Sequence, residues 1–336
     1  MKIAFLQIHE APYRDDFLYY LNRQDGVELS VFSYKKSDEY HTYWGLEQQE
    51  PVAKWLGRHL RLGSSLLHFK LLNPFFLRRF DMVAVTAHSN MTSLLAYLWC
   101  WVWGVPYVYM ADTVTERIRC RPAYHFKAAI YKKAAFIFVP GVVSRQFFIE
   151  RYGIVDKKIL LGYYSFSYSK IRGWAEVGRE EREAIRSKLG MAEGERLAIM
   201  AANFLSFRDH LGLIKVFAKR EEWHLLLIGE GPTLIKCKRY VEVNGLSDYI
   251  HFMKGQKFKT LIAILTAGDE YVHSGKEPFS TMPLLARLCG VKLGEHGDIP
   301  SWKDLESGSL PGYLDAEEVA RRFAVAARMV EPKNVN

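Results

Sequence analysis

The residues best suited to chemistry in this 336-residue chain lie in its second half, at the ends of apolar runs. Arg208 follows the run Leu197–Ala201, in a loop ahead of a helical pattern. Gly229-Glu230-Gly231-Pro232 follows Leu225–Ile228, and Gly255 follows the run after it. A longer stretch from Glu270 to Ser280 carries Glu277-Pro278-Phe279-Ser280 and opens a helix that closes at Leu288-Cys289-Gly290. A helix opened by Ser280, Thr281 and Met282 presents unpaired backbone N–H groups and the positive end of its dipole, a natural seat for a phosphate. Arg208 adds a fixed positive charge on a neighbouring loop, suited to a departing diphosphate.

Other phosphate chemistries are excluded by the same residues. A dinucleotide fold needs G-x-G-x-x-G directly after a strand. The first strand is followed instead by His9-Glu10-Ala11-Pro12-Tyr13-Arg14, and Gly229-Glu230-Gly231 is one glycine short. Gly275-Lys276 lacks both the upstream Gly and the downstream Ser/Thr of a P-loop. The four cysteines, Cys100, Cys120, Cys237 and Cys289, form no C-x-x-C pair and have no histidines at ligand spacing. That argues for a reducing compartment and against zinc or a disulfide framework. No acidic pair suited to a metal stands in the right place, so no metal and no cofactor is expected.

These candidates need strands to hold them. Both halves alternate short apolar runs with longer amphipathic stretches, the pattern of an α/β fold with parallel sheets. The first half predicts strands at 3–8, 28–32, 82–86, 107–110 and 136–139, with helices at 13–22, 123–134 and 143–152. The second predicts strands at 197–201, 224–228, 250–252 and 270–273, with helices at 209–218, 233–244, 259–266 and 281–288. Asp315 and Glu318 have the spacing of a capping box for a last helix through Val330. Tyr163–Gly190 reads as a linker ending in a charged helical segment, 179–188. Two domains follow, 1–170 and 171–336. The uncharged stretch Met82–Ala111 is long enough to suggest a membrane span, yet Asn90, Gly104 and Pro106 break it into strand, helix and strand. The apolar N-terminal run has no small-residue cleavage site and reads as a buried strand.

Charge is uneven. The net charge is +9, and residues 1–170 hold 22 Lys/Arg against 14 Asp/Glu. Pro51–Phe80 and Arg117–Ile149 contain no acid at all. Such a face would hold a protein on anionic lipid at about 1 kcal/mol per cation, or it is a solvated basic surface. No nucleic-acid module accompanies it, so no nucleic-acid partner is expected.

The ordered set Arg208, Gly229–Pro232, Glu277–Ser280, Leu288–Gly290 and Gly297-Asp298-Ile299-Pro300 resembles the retaining family 4 glycosyltransferases. The resemblance implies two Rossmann-like domains with parallel sheets facing a central cleft, the GT-B fold. It implies transfer of a sugar from a nucleoside diphosphate donor to a lipid-linked or polysaccharide acceptor, with retention of configuration. Glu277 would hold the donor sugar's hydroxyls, and Arg208 stands where the family has a phosphate-binding Lys. Gly229, Glu230, Gly231, Pro278, Phe279, Ser280 and Thr281 would surround the donor. Three positions depart from the family: Leu285 stands for a second Glu that binds the ribose, Asn203 for an Arg, and Ser280 for a Gly. Arg14, Glu10, His88 and Asp112 fall at strand ends of the first domain and are acceptor candidates; a helix-start or core role is open for each. Leu285 and Asn203 keep open a non-catalytic subunit that binds a partner or membrane, and a sugar-nucleotide epimerase shares the fold. The expected location is the cytoplasm, peripheral to the inner membrane face.

Overall fold

The computed structural model describes residues 1–35, 50–86, 90–111, 121–275, 280–294 and 310–330. They fall into two units: the residues up to Ser167 with those from Pro311 onward, and Tyr168–Leu310.

In the first unit the chain forms β1 (Lys2–Gln7), α1 (Pro12–Asn22), β2 (Glu28–Ser33), β3 (Lys54–Trp55), β4 (His59–Leu62) and β5 (Ser65–His68). It continues through β6 (Met82–Thr86), α2 (Met91–Trp103), β7 (Tyr107–Met110), α3 (Arg121–Lys133), β8 (Phe136–Val139), α4 (Val142–Tyr152) and β9 (Ile159–Leu161). Seven strands lie parallel in the order β3-β2-β1-β6-β7-β8-β9, and β4-β5 is a separate antiparallel hairpin. Central strands such as Met82–Thr86 and Phe136–Val139 are buried along their whole length, because helices cover both faces. The uncharged stretch resolves as expected into β6, α2 and β7. The Asn90 side chain caps α2 by accepting from the Thr92 N–H at 2.9 Å, and Gly104 ends it at φ 65°. No helix among the described residues is long and apolar enough to cross a membrane.

The second unit contains α5 (Tyr168–Glu180), α6 (Arg182–Lys188), β10 (Arg196–Ala201), α7 (His210–Phe217), β11 (Trp223–Ile228) and α8 (Leu234–Val243). After these come β12 (Ile250–Met253), α9 (Phe258–Thr266), β13 (Glu270–Tyr271), α10 (Met282–Leu288) and β14 (Lys292–Leu293). Its five strands are parallel in the order β12-β11-β10-β13-β14. The expected linker 163–190 is largely two helices. Gly178 of α5 lies so close to α9 that a Cβ there would stand 2.7 Å from the Ala263 Cα, which is why the segment packs instead of bridging. The charges of α6 are anchors: Arg182 and Arg186 bind the Asp269 carboxylate at 2.6 and 3.0 Å.

The last helix, α11 (Ala316–Arg328), corrects the domain boundary read from sequence. It belongs to the first unit, where Phe323 packs edge-on to Phe17 and Phe138 and Arg328 bonds the Asp25 carbonyl. Its strong apolar stripe needs a core, and β1, β6 and β8 supply one. Asp315 sits at its N-cap without a side-chain capping bond, and Glu318 pairs with Arg321 instead of closing a capping box.

Candidate functional site

At the carboxyl ends of β10, β11 and β12 the chain is drawn together by backbone hydrogen bonds. Phe204 N–H donates to Glu230 O at 2.9 Å, Thr233 N–H to Phe204 O at 3.1 Å, and Gly229 N–H to Met253 O at 2.9 Å. Gly229 and Gly231 have φ of 149° and 150°, and a Cβ on either would run into the Ala202 or Phe204 carbonyl. The glycines are therefore required by loop packing, whatever binds nearby. Gly229→Ala is expected to cost about 1–3 kcal/mol, read as a shifted urea-unfolding midpoint.

Arg208 ends a short 3₁₀ turn, Ser206–Arg208, beside Asp209, which adopts the left-handed conformation at φ 44° and caps α7 through Gly212 N–H at 3.1 Å. The Ser274 hydroxyl donates to the Arg208 carbonyl. A Cβ on Gly275 would meet the Phe207 carbonyl and the Arg208 Cα. The loop after β13 thus lies directly against Arg208, two residues before Glu277. Glu277, Pro278 and Phe279 lie outside the described residues, as do His88 and Asp112.

The helix after that loop begins at Met282, with Thr281 at its N-cap and Pro283 in its first turn. Proline there removes an N–H that would have no intrahelical partner and leaves those of its neighbours. Ser280 is buried, Thr281 half-buried, and Asn203 exposed. Leu285 is only 1% exposed, between equally buried Leu284 and Ala286. Its position on the helix faces the core.

Two histidines were missed by the sequence reading. His210 opens α7 and stacks on Phe204 with ring centroids 4.0 Å apart. Burial pushes its imidazole down to about 4; the Ala202 backbone opposes this, and the charge of Arg208 and the nearby His273 reinforce it. His273 is fully buried after β13. His210 follows Arg208-Asp209 directly, and that adjacency was the available signal.

The first unit holds the other candidates. Arg14 is 1% exposed; its guanidinium donates to Tyr163 Oη at 2.8 Å and to the His9 carbonyl at 2.5 Å, and packs over the Tyr13 and Tyr163 rings. It fastens the β1–α1 loop to the chain after β9 and does not offer its charge at the surface. Glu10 is half-buried in the same loop.

Residues 181–292 match the family described as Glycosyl transferases group 1. A curated relative, an uncharacterized glycosyltransferase of Methanocaldococcus jannaschii, is 26% identical over 163 residues, 48% of this chain. That match spans 40% of the relative's length. Among solved structures, the glycosyltransferase of Rickettsia africae superimposes with a TM-score of 0.71 at 13% identity, over 98% of this chain and 88% of its own. Anabaena HepE in complex with UDP gives 0.67 at 14% identity, over 98% and 95%. The chain therefore has the GT-B fold, two Rossmann-like units with parallel sheets, and its second unit carries a segment similar to the group 1 glycosyltransferases.

Proposed function

We propose that the chain is a glycosyltransferase that moves a sugar from a nucleoside diphosphate donor to a lipid-linked or polysaccharide acceptor with retention of configuration. The second unit binds the donor, and the first, basic unit binds the acceptor. One observation carries the reading: in the segment that matches group 1 glycosyltransferases, Arg208 lies against Ser274 and Gly275, at the end of a loop whose start, Ala202–Phe204, packs on Gly229 and Gly231. Ligands of open parallel sheets bind beyond the carboxyl ends of the strands, where these loops gather. The HepE complexes with UDP and UDP-glucose support a uridine nucleotide as the first donor to test.

In this reading Arg208 neutralises the diphosphate as the sugar departs, and the backbone N–H groups opening α10 share that charge. Glu277 holds the sugar hydroxyls. Gly229, Glu230, Gly231, Pro278, Phe279, Ser280 and Thr281 shape the pocket. Arg14 acts from within the fold by fixing the loop that carries Glu10. The buried Leu285 and the exposed Asn203 favour a second reading, a non-catalytic glycosyltransferase-like subunit, since neither supplies the charge the family uses.

Calorimetric titration with UDP, GDP, ADP and TDP separates the two. The transferase reading expects one nucleotide to bind, with Arg208→Ala weakening it roughly 10- to 150-fold through loss of one charge-assisted contact. Absence of binding to all four by a folded sample would put the non-catalytic reading first.

A further inference from the structure

Helix α2 (Met91–Trp103) contains no charged residue. One of its faces, Thr92, Ser93, Ala96, Tyr97 and Cys100, is buried against the sheet. The opposite face is apolar as well. Met91, Leu98 and Val102, spaced seven and eleven residues from the first to the others, share one side of the helix and are 40%, 45% and 54% exposed. A helix apolar on all sides is normally buried on all sides. This one leaves its Met91, Leu98 and Val102 side open among the described residues.

The segment beside it has the same character. Trp99 Nε1 donates to Leu71 O and Trp103 Nε1 to Pro74 O, both at 2.7 Å, so residues 71–74 run alongside α2. Met91 N–H donates to Ser65 Oγ at 2.7 Å, which joins the β4-β5 hairpin to the same surface. Leu60, Leu62, Phe69, Leu72 and Phe75 are each about half exposed there. Between them stand Lys54, Arg58, Arg61, Lys70, Arg78 and Arg79, with no Asp or Glu anywhere in Pro51–Phe80. None of the six makes an ion pair among the described residues. Three of the cations rest on rings: Arg78 over Trp103, Arg79 over Phe76 and Phe80, Lys70 over Phe32 and Phe76.

We infer that the outer face of α2 and the adjoining hairpin and 69–79 segment form a docking surface for an anionic lipid bilayer. An acidic protein would explain the uncompensated cations but not the exposed apolar stripe. A purely apolar partner would explain the stripe but not the cations. A surface both apolar and anionic meets both demands, and side chains with apolar stems and charged ends sit at that boundary. At 13 residues α2 is about 20 Å long, too short to cross a bilayer core of about 30 Å, so it lies in the plane of the interface. The inference deepens the lipid-linked part of the proposed function by naming the surface that brings the chain to its acceptor.

The test is co-sedimentation of the full chain with vesicles of phosphatidylcholine alone, or with a third of the lipid replaced by phosphatidylglycerol. Binding is expected only with the anionic lipid and should weaken with added salt. The double variant Leu98→Glu/Val102→Glu should lose binding at least tenfold. Lys70→Glu/Arg78→Glu should lose more, since each cation near such a surface is worth about fivefold. Thermal unfolding and nucleotide titration of the variants check that fold and donor site are intact, so this inference and the donor reading fail separately. Equal binding by wild type and both variants would overturn it. So would a concentration-dependent dimer, broken by Leu98→Glu/Val102→Glu, without vesicle binding; that result would assign the face to a second copy of the chain.

Discussion

Leu285→Glu, the substitution that restores the family's second carboxylate, is expected to destabilise the protein by about 3–5 kcal/mol, the cost of an uncompensated buried charge. The side chain is 1% exposed on a seven-residue helix of which Met282, Pro283, Leu284, Ala286 and Leu288 are also buried. Burial raises a carboxyl's pKa, so the folded state holds its proton more tightly than the unfolded chain does. The penalty is therefore small below the unfolded value of about 4.3 and grows as pH rises above it. Urea unfolding of the variant at pH 4 and pH 7 reads both its size and its sign. Leu285→Met should cost less than about 1.5 kcal/mol. A Glu variant as stable as wild type and tighter for nucleotide would mean that position 285 reaches the ligand after all.

The second large effect is loss of stability in mild acid. His68 and His210 are buried, and burial lowers each imidazole to about 4. The Tyr34 carbonyl accepts from His68 Nε2 at 2.9 Å and opposes that shift without reversing it. Both rings fold neutral, while the unfolded chain protonates its histidines near 6.5. The unfolded state thus binds more protons below that value. The stability these groups contribute is complete above pH 6.5 and is lost as pH falls toward 4, on the order of 3 kcal/mol for each. His9 and His251 are lowered to about 4 in the same way, His9 by burial and then the charges of Arg14 and Lys35. Asp269 and Glu195, held below their usual range by hydrogen bonds, extend the loss to lower pH. Urea unfolding midpoints from pH 7.5 to pH 4 check this; a flat profile would contradict it.

The parallel sheets were legible because buried strands such as Phe136–Val139 are unbroken apolar runs, and helices such as α7 and α9 carry the helical period between them. The hairpin β4-β5 was not legible: its strands are four residues each and, among the described residues, pair with each other alone, and the alternation of Leu60 and Leu62 with His59 and Arg61 marks no buried face, because β4 is exposed throughout. Helix α5 was hidden by its Tyr/Ser-rich approach and two glycines, one of which is there for contact with α9. The capping-box spacing at Asp315 described the right helix start with the wrong bonding, because Arg321 competes for Glu318. In the site, the order of loops at the strand ends and the resemblance to the glycosyltransferases put Arg208 and the loop after β13 in one neighbourhood, and their contact follows from strand order β11-β10-β13. Sequence could not tell that Arg14 turns inward, since its partner Tyr163 is 149 positions away.

Hydrogen–deuterium exchange with and without UDP reads directly whether the loops at the strand ends of the second unit hold the donor nucleotide. Slowed exchange is expected, confined to amides in 203–208, 229–232 and 274–284 and weakened in Arg208→Ala. Binding of UDP with protection elsewhere, and none in these three segments, would contradict it.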